Sequence, residues 1–424
     1  MAACPDMPQS GGTVQAFAIT TRGPAMLSDD YADEYQMPHE TLPADTREEL
    51  SGRGFNRRQV GRIAMILGGG TAMASFGRPA LAQQSGPAAV GAVRIASNEC
   101  WTGPFAEGAA AAAMAVKEGN RYEPDNDHAR LAATVAEVEG VPQDHILTWP
   151  GSSDPLNRVV VSFCSPERGL VTADPSYEQA WRTSQWLGVP LQRVPLTADH
   201  RHDVRAMLAA DPDAGLYYIC SPNNPTGTLT PLADIVWLAE NKPKDAVLVV
   251  DEAYIHFADT PSAAGLAASR DDVIVLRTFS KMFGMAGMRL GLTFANPALY
   301  DRMMRYDGQQ VTFMVPMTAV ACGTACLPLA GKIAARRAEM VAVREETLAH
   351  MQARGIPTIA SHANMFMADW GTLGTPAEMQ AKFMEHNVQI GRSWDALPTM
   401  SRITVGSAAD MQAFRLALDR ILMG

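Results

Sequence analysis

A single lysine, Lys281, follows a short apolar run of the sequence, with a serine directly before it and Arg289 eight positions later. The run, from Val273 to Arg277, has the length and the β-branched content of a buried strand. A lysine at such a place is most often a solvated surface charge. When burial lowers its pKa, however, a lysine amine can act as a nucleophile and as a proton carrier. Its neighbours in the fold therefore decide whether Lys281 does chemistry.

Polar groups also follow the ends of four other apolar runs. In chain order they are Ser152 and Ser153 after Gly151, Tyr177 in DPSYE, Asn224 in SPNNPTG, and Asp251 with Tyr254 in DEAY. Taken one at a time, such groups belong to turns, caps or exposed charges. In open α/β sheets, however, ligands bind beyond the carboxyl ends of the strands, and neighbouring strand ends lie together. The sequence therefore predicts one shared site.

The predicted site contains the parts of a cofactor pocket. A glycine turn and two serines that open a helix can bind a phosphate group. A lysine amine and a carboxylate are the further groups that hold pyridoxal phosphate as a Schiff base. We therefore expect pyridoxal 5′-phosphate as the cofactor.

The elements that position these groups alternate between strand and helix from about residue 90. This alternation predicts an α/β fold with a mainly parallel sheet and helices on both faces. The predicted strands are His145–Trp149, Gly169–Ala173, Gly215–Cys220, Ala246–Val250 and Val273–Arg277. Longer helices and short strands after about residue 300 predict a smaller α+β domain. We expect an N-terminal arm with part of the small domain at 83–115, a large domain at 116–298 and the small domain at 299–424.

The first residues have a different character. Residues 1–54 are polar and acidic with little apolar periodicity, so we expect a disordered leader without a packed core. Residues 55–82 combine basic residues, a short apolar run and an Ala-Leu-Ala exit, and they look like a twin-arginine signal with Arg57 and Arg58 as the pair. An amphipathic or disordered tail is the alternative. Export by the twin-arginine machinery would make the protein periplasmic, with a mature chain from about Gln83. Without export it would be cytoplasmic.

Composition limits the possible partners. The net charge of −10 argues against a nucleic-acid partner and gives no basic surface for anionic membranes. The 6 cysteines form no CxxC motif and no cluster with histidine at metal-ligand spacing, so we expect no metal site. The apolar run near residue 65 is shorter than the roughly 20 residues of a spanning helix, so we expect no membrane span.

From about Ile95 to its end, the sequence resembles the fold-type I, class I/II aminotransferases, and it is most similar to the histidinol-phosphate aminotransferase branch. The phrases that carry the resemblance are SNECWTGP from Ser97, RYEPD from Arg121, YICSPNNPTG from Tyr218, VVDEAY from Val249, RTFSKMFGMAGMRLG from Arg277 and SRITVG from Ser401. The resemblance implies transfer of an amino group between an amino acid and a 2-oxo acid or a phosphorylated ketone.

The resemblance also implies roles for residues in the cofactor pocket. Lys281 would bond the cofactor and then move a proton, and Asp251 would face the pyridine nitrogen. Of the other cofactor-binding residues, Tyr254 and Asn224 would bond the ring oxygen, Tyr177 would stack on the ring, and Ser152, Ser280 and Arg289 would hold the phosphate. Tyr122 would reach the phosphate of a neighbouring subunit, which implies a homodimer with shared active sites.

Four residues are expected at the substrate by the same resemblance. Arg402 would bind the α-carboxylate, and Arg392, Asn98 and Asn364 would lie near the substrate. The amino donor and the acceptor stay open. A decarboxylase of the same fold, similar to threonine-phosphate decarboxylase, is the alternative enzyme, because the electron sink alone does not select which bond at Cα breaks. A non-catalytic binding module is the alternative from another class, and it predicts loss of Lys281, Asp251 or Arg289.

Overall fold

The structure, a computed structural model, describes residues 42–68, 91–306 and 315–423. Its helices are α1 Ala44–Gly52, α2 Arg57–Gly68, α3 Ala106–Ala115, α4 Asp127–Glu139, α5 Ser153–Phe163, α6 Gln179–Leu187, α7 Val204–Ala210, α8 Leu232–Asn241, α9 Ala264–Ser269, α10 Pro297–Met303, α11 Met317–Cys326, α12 Ala330–Ala353, α13 Pro376–Glu385 and α14 Ala408–Met423. Its strands are β1 Val93–Ile95, β2 Ile146–Trp149, β3 Leu170–Asp174, β4 Leu191–Pro195, β5 Leu216–Cys220, β6 Val247–Asp251, β7 Val273–Thr278, β8 Gly291–Phe294, β9 Met365–Asp369, β10 Val388–Ile390 and β11 Met400–Thr404.

The central element is a seven-stranded sheet in the order β2-β8-β7-β6-β5-β3-β4. The run from β4 to β7 is parallel, whereas β8 is antiparallel to both of its neighbours. Cys220 at the end of β5 lies opposite Asp251 at the end of β6, and Asp251 lies opposite Leu276 in β7. This register brings the segments that follow β5, β6 and β7 to one edge of the sheet.

Both faces of the sheet are covered by helices, because successive strand residues point to opposite sides. On one face, Tyr217, Ile219, Leu248 and Val250 pack with residues of α4, α7 and α8. On the other face, Leu216, Tyr218, Val247 and Val249 pack with residues of α5, α6 and α10. The predicted α/β fold with a mainly parallel sheet and helices on both faces is therefore confirmed.

The five predicted strands are all present, with ends within one residue of those predicted. Two strands of the sheet were missed. Strand β4, at the sheet edge, has a single buried residue, Val194, and so lacks a strong alternating pattern. Strand β8 is a four-residue element that begins two positions after Arg289.

The C-terminal part consists of short strands and helices whose buried residues continue the core on one face of the sheet. Strand β9 pairs with β11 in antiparallel fashion, and β1 pairs with β10 in parallel fashion. The rings of Phe383 on α13 and Phe414 on α14 stack with centroids 5.0 Å apart. Because β1 lies early in the chain, residues before 100 complete the structure of the C-terminal part.

Residues 42–68 are helical and packed, in contrast to the leader expected at 1–54. Leu50 and Ile63 are 0% exposed and join the core on the α5 and α6 face. The Arg53 guanidinium donates hydrogen bonds to the carbonyls of Val161 and Cys164 at 2.8 and 2.7 Å. The expectation of a disordered leader is therefore wrong for residues 42–54, because the burial of Leu50 and the hydrogen bonds of Arg53 hold this segment against the rest of the fold.

The same packing includes the first part of the predicted signal segment. Arg57 and Arg58 open α2, and Gln59 donates a hydrogen bond of 2.7 Å from Nε2 to the carbonyl of Leu187 at the end of α6. The Ala-Leu-Ala exit at 80–82 and residue Gln83 lie outside the described residues.

The described residues also bear on the expectations about a membrane span and a metal site. No single helix within 42–68, 91–306 or 315–423 is long and apolar enough to span a membrane, although α11 and α12 together, bent by 87°, meet the length and composition test. The described residues also contain no group of three or more His, Cys, Asp or Glu side chains placed to hold a metal ion.

Candidate active site

A cavity of about 660 Å³ opens at the edge of the sheet where β5, β6 and β7 end. Its wall combines loops that follow five strands with segments near residue 98 and residue 400. The predicted site residues that line the cavity are Asn98, Ser152, Ser153, Tyr177, Asn224, Asp251, Tyr254, Ser280, Lys281, Arg289, Arg392 and Arg402. The fold thus brings together side chains from positions more than 300 residues apart.

Lys281 lies near the centre of this set. Its Nζ donates a hydrogen bond of 3.0 Å to the carbonyl of Asn98 and lies 5.6 Å from the centre of the Tyr254 ring. Burial, followed by the positive charges of Arg402 and Arg289, lowers the pKa of Lys281 to about 8, against the opposing effect of Glu99 and Asp251. With this pKa, roughly a tenth of the amine is neutral at pH 7 and about half at pH 8, and the neutral form is the one that acts as a nucleophile or base.

Asp251 ends β6 and is 2% exposed. Its carboxylate accepts hydrogen bonds from the Tyr218 hydroxyl at 2.9 Å and from the backbone N–H of Ala253 at 3.0 Å. Burial raises the pKa of Asp251 to about 6 even though these bonds act to lower it. The carboxylate is thus ionised at neutral pH, and a cationic partner in the cavity would stabilise it further.

The phosphate cradle predicted at Gly151–Ser153 has a matching cation. Gly151 has φ +89°, and a Cβ built on it would lie 2.2 Å from Nη2 of Arg289, so this guanidinium lies directly against the turn. Arg289 also donates to Ser280 Oγ at 3.4 Å. Helix α5 starts at Ser153, and its first N–H groups together with the guanidinium suit a phosphate dianion.

Tyr254, Asn224 and Tyr177 are three further polar groups in the cavity wall. The Tyr254 hydroxyl accepts a hydrogen bond of 3.1 Å from Asn98, and burial raises the pKa of Tyr254 well above its ordinary range. Asn224 accepts a hydrogen bond of 2.9 Å from Arg402 Nη1. Tyr177 lines the same wall, and burial also raises the pKa of its hydroxyl. Both tyrosines are therefore protonated donors at neutral pH.

Arg402 is a buried cation in the cavity wall that could bind an anion. Its Nη2 donates to the carbonyl of Ala96 at 2.7 Å, and its Nε is buried with no hydrogen-bond partner among the described residues. Burial lowers the pKa of Arg402 to about 10, which still leaves it charged. None of the ion pairs found within the described ranges involves Arg402. A carboxylate from a ligand would supply the missing counter-charge.

Asn98 acts on Lys281 through its backbone. Its side chain accepts from Thr404 Oγ1 at 3.0 Å, its N–H donates to the same oxygen, and its φ of 51° is left-handed. These bonds aim the Asn98 carbonyl at the lysine amine. Sequence alone could not give this role, because it depends on a partner 306 positions away.

Two predicted residues are not brought to the cavity of their own chain. Asn364 is 0% exposed and donates from Nδ2 to the carbonyl of Glu99 at 3.2 Å, so it supports the turn beside Asn98 from behind. Tyr122 is 87% exposed and is absent from the cavity wall.

The cavity also contains residues that the sequence analysis missed. Glu178, Arg182 and Trp394 line it, next in the chain to Tyr177 and Arg392. An acid with an arginine four positions later in a helix was a visible signal for the first pair. Tyr218 carried no signal beyond its place in a strand.

The residues present fit pyridoxal phosphate. A lysine amine, an ionised carboxylate and a glycine turn closed by a guanidinium share one cavity of a size that binds small molecules.

Comparison with known proteins agrees with this geometry. The model of the family Aminotransferase class I and II matches residues 91–421. The aromatic amino acid aminotransferase of Rhodococcus jostii (strain RHA1) is 35% identical over 327 residues, covering 76% of this chain and 88% of the relative. The histidinol-phosphate aminotransferase of Rubrobacter xylanophilus (strain DSM 9941) is 32% identical over 327 residues, covering 76% of this chain and 89% of the relative.

A solved structure extends the agreement to the fold and the cofactor. The histidinol-phosphate aminotransferase of Sinorhizobium meliloti, in complex with pyridoxal-5′-phosphate, superposes with a TM-score of 0.71 at 25% identity, covering 78% of this chain and 91% of that one. The chain therefore belongs to the class I and II aminotransferases and is a pyridoxal-phosphate-dependent aminotransferase.

Proposed function

We propose that the protein transfers the amino group of an α-amino acid with a planar ring in its side chain to a 2-oxo acid. The observation that carries the proposal is Arg402, a buried guanidinium in the same cavity as Lys281 with an unpaired Nε and no acidic partner within the described residues. Amino acids and 2-oxo acids both carry a carboxylate next to the reacting carbon. Relatives named for aromatic amino acids and for histidinol phosphate support a ring-bearing substrate.

In the proposed mechanism, residues of the chain bind the substrate, orient it and move its protons. When bound, pyridoxal phosphate supplies the aldehyde that takes up the amino group and the ring that accepts electrons from the bond broken at Cα. Arg402 holds the carboxylate, which fixes the direction of the Cα–H bond. Lys281, as a neutral amine, would take the proton from Cα and deliver it to the former aldehyde carbon of the cofactor, on the other side of the transferred nitrogen. Asp251, ionised and buried, would stabilise positive charge on the ring nitrogen of the cofactor.

We also propose that the protein works as a homodimer with shared active sites. Tyr122 carries this proposal, because a tyrosine that is 87% exposed in one chain is free to enter the cavity of a second copy. Its hydroxyl would then add a donor to the phosphate cradle formed by Ser152, Ser153 and Arg289.

We propose, finally, that the chain is exported to the periplasm by the twin-arginine machinery. Arg57, Arg58 and the apolar run after them support the proposal. Cleavage near Gln83 would remove α1 and α2 and uncover the apolar residues of α5 and α6 that these helices pack against. Retention of the segment in the mature protein would instead keep this face covered.

The first prediction concerns the reaction. Purified holoenzyme given phenylalanine, tyrosine or histidine with pyruvate forms the matching 2-oxo acid without release of CO₂, as measured by chromatography and CO₂ trapping. Arg402→Gln raises KM for the amino acid by about tenfold to a hundredfold, the loss of one charge-assisted bond. Arg420→Gln, in the last turn of α14, is the control. Release of CO₂ would establish the decarboxylase, and no product from any substrate would favour the binding module.

The second prediction follows from the pKa of Lys281. In cofactor-free protein, trace labelling with acetic anhydride, read by peptide mass spectrometry, rises for Lys281 through a midpoint near pH 8. Below this pH the amine is protonated and does not react. Arg402→Gln removes a nearby positive charge, which eases protonation and moves the midpoint to higher pH. A midpoint near that of an ordinary lysine, or a downward shift in the variant, would contradict the assignment.

The third prediction tests the shared active site. Lys281→Ala and Tyr122→Ala are each weakly active at limiting cofactor concentration. After mixing and re-pairing, random association makes half of the dimers mixed, each with one complete site, so activity recovers to about a quarter of wild type. Lys281→Ala mixed with Asp251→Asn is the control, because both residues serve the cavity of their own chain and no complete site can form. Equal activity in both mixtures would argue against the contribution of Tyr122.

The fourth prediction concerns export. If the segment is a cleaved signal, mass spectrometry of the protein isolated from its native cell finds the mature N-terminus at or near Gln83. Arg57→Lys together with Arg58→Lys then leaves the uncleaved chain in the cytoplasm. A mature protein that retains residues 42–68 would rule out cleavage and assign the helices to the working enzyme.

A further inference from the structure

The inner wall of the cavity carries a charge cluster that the proposed reaction does not use. We define the side-chain subsite as Glu178, Arg182, Arg392 and Trp394, all of which line the cavity. The two oxygens of Glu178 are both engaged: Oε1 accepts from Arg392 Nη2 at 2.6 Å, and Oε2 accepts from Arg182 Nη2 at 2.7 Å.

The subsite lies beside the position assigned to the α-carboxylate. The backbone N–H of Arg402 donates to the carbonyl of Arg392 at 3.0 Å, so the two arginines are held next to each other. Both guanidinium groups also lie over the ring of Trp394, at 4.0 Å for Arg392 and 5.3 Å for Arg402. A substrate whose carboxylate is bound by Arg402 therefore has Arg392 within reach of its side chain.

Arg392, however, is not available to a ligand in this arrangement. Its Nη2 is bonded to Glu178 and its Nη1 donates to the carbonyl of Ser393 at 3.4 Å. The Glu178 side chain is only 16% exposed, so separating the pair would leave a poorly hydrated carboxylate next to the entering group. An anionic side chain would have to replace Glu178 and then lie beside its negative charge.

An uncharged planar ring meets no such barrier. It can lie against the flat guanidinium groups and the indole of Trp394 without breaking an ion pair. The buried Nε1 of Trp394 has no hydrogen-bond partner among the described residues, and it offers a donor to a polar atom on the ring.

We propose that Glu178 is a specificity-determining residue: its carboxylate occupies the anion-binding position of Arg392 and so directs the site toward uncharged ring side chains and against carboxylate or phosphate side chains. The inference rests on the proposed function, because it assumes that Arg402 binds the α-carboxylate. It goes further in assigning the choice among amino acids to one ion pair.

The test uses Glu178→Gln, which keeps the shape of the side chain and removes its charge. In the holoenzyme, kcat/KM for aspartate or glutamate relative to phenylalanine rises by about tenfold or more, the size expected for one charge-assisted bond gained by an anion. Glu346→Gln, which breaks the exposed pair with Arg415 away from the cavity, is the matched control and leaves the ratio unchanged.

A double variant identifies the group that binds the anionic side chain. In Glu178→Gln with Arg392→Gln, the gain for aspartate and glutamate is lost, because the guanidinium of Arg392 is no longer present to bind their side chains. An unchanged ratio in Glu178→Gln, an equal fall for all substrates, or a gain that survives in the double variant would overturn the proposal.

A binding measurement separates this inference from the proposed reaction. Titration calorimetry compares glutarate with 3-phenylpropionate, which share one carboxylate and differ at the other end. Glu178→Gln strengthens glutarate binding by about tenfold while 3-phenylpropionate changes little. If no amino acid yields a 2-oxo acid but this shift is found, the reaction is wrong and the subsite assignment stands. If transamination occurs and the shift is missing, the subsite assignment is wrong.

Discussion

The site depends on keeping the amine of Lys281 out of water and close to positive charge. Burial and the guanidinium groups of Arg402 and Arg289 all act against its protonated form. We propose that the same two arginines receive anions, Arg289 at the cofactor phosphate and Arg402 at the substrate carboxylate. Each anion that binds offsets part of the charge that lowers the pKa of Lys281. Binding and the proton affinity of the amine are therefore linked, which suits a residue that must release a proton and later take one up.

The sheet provides the rigid frame for this arrangement. Because β5, β6 and β7 are parallel and in register, Asn224, Asp251 and Lys281 follow strand ends that lie side by side. The cost of burying the Asp251 carboxylate is reduced by Tyr218, whose own strand is packed on both faces. The packing of α5 and α6 against the sheet thus holds Tyr218 in place, and Tyr218 in turn stabilises the ionised form of Asp251.

Long-range pairs then connect the C-terminal part of the chain to the sheet. Thr404 orients Asn98, whose carbonyl accepts from Lys281, and Arg392 pairs with Glu178 across 214 positions of sequence. The cavity therefore has one wall that is fixed by the sheet and another that depends on how the C-terminal part lies against it. The pair of Glu178 and Arg392, which we propose selects the substrate, joins the two walls.

The sequence by itself determined five of the seven strands of the central sheet and most of the cofactor groups. Strands β3, β5, β6 and β7 are continuous apolar runs, and parallel strands present their ends together, so Asp251 and Lys281 could be assigned to one site without coordinates. It also provided the glycine turn before Ser152, because such turns have a local signature.

The tertiary structure alone decided which polar groups meet across the chain. Tyr218 as partner of Asp251, the position of Asn364 behind Glu99, the pairing of Glu178 with Arg392 and the packing of α1 and α2 on the sheet have no local signal. Each depends on contacts between residues far apart in sequence, and a pattern with a period of two or of 3.6 residues specifies which face is buried but not what covers it.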